Sequence, residues 1–166
     1  MTPTILQFGE AVTGIEYALR PGGYSIVKGP GGTIAVASTS RGYFLPGGGQ
    51  NGDESPEAAA VREATEECGL RIRILRCLGV ADELVYALDE ETYFRKRCTF
   101  FTAELVRQEG CGEADHHLVW ITADVARAQL EHGSQRWAVA EAFADLPLSG
   151  TGGAKSSMHV ENGSSS

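Results

Sequence analysis

Between Arg41 and Gly69 the chain passes from a glycine-rich stretch, RGYFLPGGGQNGDES, straight into a segment with its own helix start and stop signals. Ser55 is a good N-cap, Pro56 suits the first helical position, Glu57 complements the helix dipole in the first turn, and Gly69 is a natural stop. Gly47, Gly48, Gly49 and Gly52 permit a backbone path that bulkier residues resist, so the loop is shaped for a purpose. At about 100° per residue, Glu63, Glu66 and Glu67 share one arc of the helix. Ala60, Val61, Ala64 and Cys68 fill the neighbouring arc and are small enough to let the helix approach a sheet closely. Like charges at this spacing cost roughly a few tenths of a kcal/mol for each i,i+4 pair. Hard oxygen donors suit Mg²⁺ or Mn²⁺, and with them phosphate chemistry. An isolated E-x-x-E-E is more often a solvated helix face, so the surroundings have to decide.

Those surroundings read Gly48, five residues, Glu54, seven residues, then Arg62-Glu63-Ala64-Thr65-Glu66-Glu67-Cys68-Gly69-Leu70. The pattern resembles the Nudix box, G-x5-E-x7-R-E-U-x-E-E-x-G-U, at every fixed position. Ala64 is a small occupant of its aliphatic slot and Leu70 fits its own. The resemblance implies an α/β fold: a Nudix-type α/β/α sandwich with a mixed β-sheet and a loop-helix-loop. It also implies Glu63, Glu66 and Glu67 as catalytic and metal-site carboxylates, with the Gly48 carbonyl as a further ligand. Glu54 and Arg62 become a structural ion pair pinning the loop to the helix, and Gly69 is structural too. The general base varies among such proteins. Glu63 or Glu66 could serve, and Glu113 is the first candidate outside the box and a possible metal ligand, ahead of Glu83, Glu90 and Glu91. A solvated loop carboxylate beside Asp115 is the competing reading of Glu113.

The implied activity is Mg²⁺-dependent cleavage of a pyrophosphate bond in a nucleoside diphosphate linked to another moiety, by attack of water on phosphorus, with Mn²⁺ as a substitute. Dinucleoside polyphosphates and nucleoside triphosphates are alternative substrates, and a non-catalytic nucleotide-sensing module is the alternative of another class. Arg41, Tyr43 and Phe44 precede the glycine loop, where related proteins contact substrate. Tyr86 lies where a tyrosine is associated with dinucleoside polyphosphate hydrolases, although in ELVYAL it fits a packed strand at least as well. Arg95, Lys96 and Arg97 form a basic run suited to phosphate or to a solvated hairpin end. His116 and His117, being adjacent, would face opposite ways on a strand. Trp120 and Trp137 are expected to pack.

Around the box, IEYALR, YSIVKG and TIAVAS read as strands separated by turns at Pro21-Gly22-Gly23 and Gly29-Pro30-Gly31-Gly32. Two longer β-rich stretches after Gly69 break at Asp89-Glu90-Glu91, as in a long hairpin, and HLVWIT adds a strand. Helices are expected from Asp124 to Leu130 and from Ser134 to Leu146. With 166 residues, 42% of them hydrophobic, one domain over 1–148 is expected, followed by a disordered Gly- and Ser-rich tail over 149–166 with almost nothing to bury. The net charge of -8 argues against a nucleic-acid polymer or an acidic membrane as partner and makes a cation more necessary for an anionic substrate. Cys68, Cys77, Cys98 and Cys111 form no C-x-x-C pair and suit a reducing compartment. With neither a signal-like start nor a spanning apolar run, a cytoplasmic protein is expected, with homodimerisation open.

Overall fold

The computed structural model describes residues 2–144. Its centre is a mixed sheet in which β1 (Leu6–Phe8), β6 (Leu70–Ala87), β7 (Thr92–Gln108), β2 (Ala18–Lys28), β3 (Thr33–Thr39) and β4 (Gly42–Phe44) lie side by side in that order. A short β5 (Gly47–Gly49) pairs with β2, and β8 (His117–Thr122) pairs with β3. The β1–β6 and β2–β7 pairs are parallel and the other ladders antiparallel. Helix α1 (Pro56–Cys68) covers one face, closing a core of Val27, Ala35, Ala64, Cys68, Leu70 and Ala103. Helices α2 (Ala123–Gln129) and α3 (Gly133–Ala142) cover the other, over Ile26, Ile34, Val36, Leu45, Phe100 and Val139. This is the expected α/β/α sandwich, and Trp120 and Trp137 pack against these two cores, one on each face.

The expected turn at Pro21-Gly22-Gly23 is a correction: β2 continues through it, in unbroken parallel register with β7 from Ala18 to Lys28. The glycines are there for close approach. A Cβ on Gly22 would lie 2.4 Å from the Gly48 carbonyl oxygen, and one on Gly23 only 1.8 Å from that of Pro56. Bare backbone at these two positions lets β5 and the first turn of α1 sit directly on the strand. The basic run Arg95–Arg97 is likewise no hairpin end, because it lies within β7 and the β6–β7 turn falls at the Asp89–Glu91 break. Strands β1 and β5 were not expected: each is only three residues long, and neither an LQF nor a GGG segment carries a strand pattern. The last helix ends at Ala142; Leu146, the domain end at 148 and the tail over 149–166 lie outside the described residues. Among the described residues no helix is long and apolar enough to cross a membrane.

Candidate active site

Helix α1 starts and stops on the residues that signalled it. The Ser55 hydroxyl accepts a hydrogen bond from the Ala58 N–H at 3.1 Å, and Gly69 closes the helix in the left-handed region at φ 65°. Arg62 organises everything ahead of it. Its Nε and Nη2 donate to the two oxygens of Glu54, each at 2.9 Å, and Nη2 also donates to the Gly49 carbonyl at 3.0 Å. This planar fork ties the glycine loop to the helix. It also holds the Glu54 carboxyl below its ordinary range. Nη1 reaches further than expected, donating to Glu63 Oε1 and Glu66 Oε2 at 2.9 Å each.

The three helix glutamates differ in setting. Glu66 is 47% exposed at the rim, whereas Glu63 is 16% exposed and stands against the bare backbone of Gly48. Glu67 lies deepest and accepts the Gly47 N–H at 3.3 Å. Burial, reinforced by Glu63, pushes its carboxyl up to about 8, and burial also raises Glu63 despite Arg62. A second acidic strand of chain arrives from the loop after β7. Gly112 packs so tightly on α1 that a Cβ there would lie 1.8 Å from the Glu67 carbonyl oxygen, and the Glu113 N–H donates to the Glu66 carbonyl at 2.9 Å. Glu113 thereby comes near enough to Glu63 and Glu67 to raise both. The Nδ1 of His116 lies 3.2 Å from Glu113 and 3.0 Å from Asp115. Among the described residues, Glu113, Asp115 and His116 are the one trio of ligand-type side chains gathered within 4.8 Å. The helix glutamates stand further apart, with Arg62 between Glu63 and Glu66.

Two adjoining cavities open beside these carboxylates. The smaller, about 260 Å³, is walled by Gly47, Gly48, Gly49, Glu63, Glu67 and Arg20. The larger, about 370 Å³, has Phe44, Arg41, Glu131, His132 and Gln135 in its wall, and both share Tyr24, Gly47, Glu67 and Lys96. Phe44 meets the His132 ring edge to face at 5.2 Å between centroids, and the buried Gln135 fixes the strand by accepting the Leu45 N–H at 2.8 Å. Burial, aided by Lys96, Arg136 and Arg41, pushes His132 down to about 4, so its imidazole is neutral at neutral pH. Burial lowers Lys96 and raises the Tyr24 phenol.

Arg41 and Phe44 therefore both border the larger cavity, while Tyr43 faces a separate cleft beside α2. Tyr86 borders the cavity as well, but its ring lies 4.7 Å from that of Tyr93, opposite it across the β6–β7 ladder. Alternation along β6 points it away from the face that carries Glu83 and Val85. The basic run splits the same way: Lys96 faces the cavities, whereas Arg97 grips the buried Asp82 through two bonds of 3.0 Å on the other face. His116 borders the larger cavity; His117 starts β8 and is exposed. Glu83 is buried on the N-terminus of α3, Glu90 pairs with Arg20 at 2.7 Å, and Glu91 sits in the hairpin turn at φ 48°. Sequence reasoning missed Glu131, His132 and Gln135. Glu131 and His132 lie between α2 and α3 and Gln135 in the first turn of α3, and only the break between two helical patterns marked the place.

A family model described as NUDIX domain matches residues 24–143. A Mycobacterium tuberculosis protein with the provisional name 8-oxo-dGTP diphosphatase 3 is 31% identical over 134 residues, covering 72% of this chain. Diphosphoinositol polyphosphate phosphohydrolase 3-alpha of Mus musculus is 40% identical over 53 residues, 30% of this chain. The chain spans 51% of the first relative's length and the match covers 32% of the second's. Among solved structures, the dihydroneopterin triphosphate pyrophosphohydrolase of E. coli superposes with a TM-score of 0.63 at 16% identity, over 73% of this chain and 92% of that one. At that identity the likeness concerns the fold.

Proposed function

The chain belongs to the NUDIX family, and from that premise we propose that it is a magnesium-dependent pyrophosphohydrolase acting on a nucleoside diphosphate joined to a second group. One observation supports the reading: the carboxylate cavity and the aromatic cavity adjoin, with Tyr24, Gly47, Glu67 and Lys96 in the walls of both. A diphosphate at the glutamates thus leaves a space of nucleoside dimensions beside it, with a flat aromatic wall for a base.

The residues fit a hard divalent cation. Glu63 and Glu67 are desolvated, mutually repelling oxygen donors, and raised carboxyls mark a site short of positive charge. Glu63, Glu66 and Glu67, with the Gly48 carbonyl, would hold the ion. Bound there, magnesium supplies neutralisation of the diphosphate's charge and a water acidic enough to attack phosphorus. The chain's own part is to orient and to move a proton. Glu63 and Glu66 are both engaged by Arg62, whereas among the described residues Glu113 pairs with the loop residue His116 and with no arginine, so we assign the water's proton to Glu113. Tyr24, Phe44 and the neutral His132 exclude water from the substrate's organic end.

A second reading, cleavage of a nucleoside triphosphate, is favoured by the name of the mycobacterial relative. Incubation with Mg²⁺ and a panel of sugar- or cofactor-linked nucleoside diphosphates, nucleoside triphosphates including 8-oxo-dGTP, and dinucleoside polyphosphates decides between them. Release of a nucleoside monophosphate from the linked diphosphates alone is expected. Preferred release of pyrophosphate from triphosphates would install the second reading, and tight binding without turnover would replace both with a sensor.

A further inference from the structure

Among the described residues, Lys96 forms no ion pair. It sits mid-strand in β7, half-buried, and borders both cavities. Its neighbour in register on β6 is Glu83, the carboxylate that ought to neutralise it. Glu83 is spent elsewhere: its two oxygens accept the Gly133 N–H at 3.2 Å and the Ser134 N–H at 3.0 Å, capping α3. The neighbour in register on β2 is Arg20, another cation, tied outward to Glu90 at 2.7 Å and stacked on Phe94 at 4.9 Å. Arg41 adds positive charge from the wall of the larger cavity. Among the described residues the ion pairs of this region include Arg20, Arg62 and Arg97 but not Lys96. An ammonium partly withdrawn from water, beside two guanidinium groups and with its neighbouring carboxylate also capping a helix end, is stabilised when an anion completes the site. Packing alone gives no account of it, because a methionine would fill the same channel without a charge.

The position says which anion. Lys96 stands on the shared wall, so its ammonium can be reached by a group lying between the carboxylate cavity and the aromatic one. Resting on the pyrophosphohydrolase reading above, we propose that Lys96 binds the phosphate on the nucleoside side of the scissile linkage and thereby fixes which phosphorus is presented to the helix glutamates. The bond broken is the P–O bond of the anhydride. Water oxygen adds to one phosphorus, the bridging oxygen leaves with the other phosphate, and the water's proton passes to a carboxylate. Without the lysine the chain of phosphates can slide, so that either phosphorus is attacked.

Lys96→Met and Lys96→Arg test this on the intact chain. The Met variant should melt no lower than the wild type, since it removes a desolvated charge and keeps the stem. On whichever panel compound the wild type cleaves, Lys96→Met should raise KM about thirtyfold with a smaller change in kcat, and Lys96→Arg should restore KM to within about threefold, as expected for one desolvated charge contact. In water enriched in ¹⁸O the wild type should label one product only and Lys96→Met should label both. An unchanged KM and a single labelled product in the Met variant would overturn the assignment. A binding arm keeps it separable from the activity: titration of inorganic pyrophosphate with Mg²⁺ present should be at least tenfold weaker for Lys96→Met even if no panel compound is hydrolysed, and equal affinity would refute the phosphate contact. If the wild type hydrolyses nothing yet pyrophosphate binding depends on Lys96, the hydrolase reading falls and the anion site stands.

Discussion

The two cavities that meet at Lys96 share a wall and are built in opposite ways. The carboxylate side is bonded throughout: one arginine joins Glu54, Gly49, Glu63 and Glu66, and bare glycine backbone presses against the helix. Its geometry is fixed before any ligand arrives. The aromatic side is assembled from β4, β6, β7, the approach to β8 and the α2–α3 connection, and its rings meet at edges with few hydrogen bonds among them. Reaction chemistry belongs on the first kind of surface, because a misplaced charge costs rate. Discrimination belongs on the second, where one side chain can change without moving the helix. Substitutions on the carboxylate side should therefore act on kcat or on folding, and those on the aromatic side on KM.

The sharpest test of that division is Glu67→Gln. Turnover with Mg²⁺ should fall on the order of a thousandfold, roughly 4 kcal/mol of transition-state stabilisation. The fold should not suffer. The carboxyl is held up to about 8 chiefly by burial, so an amide relieves an unfavourable charge, and the melting temperature should stay level or rise. Retention of turnover within a few-fold would remove Glu67 from the metal site.

Next in size is Gly23→Ala, which attacks the carboxylate side through packing alone. The new Cβ would lie 1.8 Å from the Pro56 carbonyl oxygen, so α1 has to lift from β2. A loss of about 3 kcal/mol in urea unfolding is expected, together with activity, as for overpacking against backbone. A variant that unfolds like the wild type would show that the helix is not seated where its chemistry needs it.

The same contrast decides what could be read without coordinates. The Arg62–Glu54 pair, the glutamate face and both helix ends lie in 23 consecutive residues, where spacing along a capped helix is spacing in space. Helix ends, the Arg62–Glu54 pair and the glutamate face were legible for that reason. Glycines misled where they served approach and not turning: Gly22 and Gly23 read as a break because the residues they accommodate, Gly48 and Pro56, are remote in sequence. The aromatic side was legible only in part. Phe44 and Arg41 could be named for preceding the glycine loop, but His132 and Gln135 reach the cavity through the packing of α2 and α3, which no local pattern encodes. Lys96 was visible only as part of a basic run, because strand alternation, and not the run, separates it from Arg97.

On the aromatic side, Phe44→Ala should raise KM about tenfold, near 1.4 kcal/mol, and leave kcat within about twofold, since it removes a stacking wall and no reacting group. A fall in kcat at unchanged KM would erase the division, by making the aromatic wall part of the reaction geometry. The substrate used should be the best of the panel, with circular dichroism confirming that β4 keeps its pairing.

The smallest effect probes what both sides have in common, which is removal from water. Burial pushes Glu67 up and His132 down, each toward its neutral form. For His132 the folded chain takes up its proton only near pH 4, while the unfolded chain does so near the ordinary value of 6.5. Between those values the unfolded state binds more protons, so acid favours unfolding: the contribution is complete above pH 6.5 and is lost as pH falls toward 4. The full shift would correspond to roughly 3 kcal/mol, and partial exposure of the ring to water reduces the expected effect to about 1 kcal/mol. His132→Gln keeps a polar neutral side chain and cannot take up the proton. Urea unfolding of both proteins at pH 4.5, 5.5 and 7.0 should show the wild type losing about 1 kcal/mol more than the variant across that range. The carboxylates cancel in the difference because both proteins contain them. A flat difference would mean that water reaches the imidazole freely, and the aromatic side would then be an open surface, unable to shield a substrate's organic end.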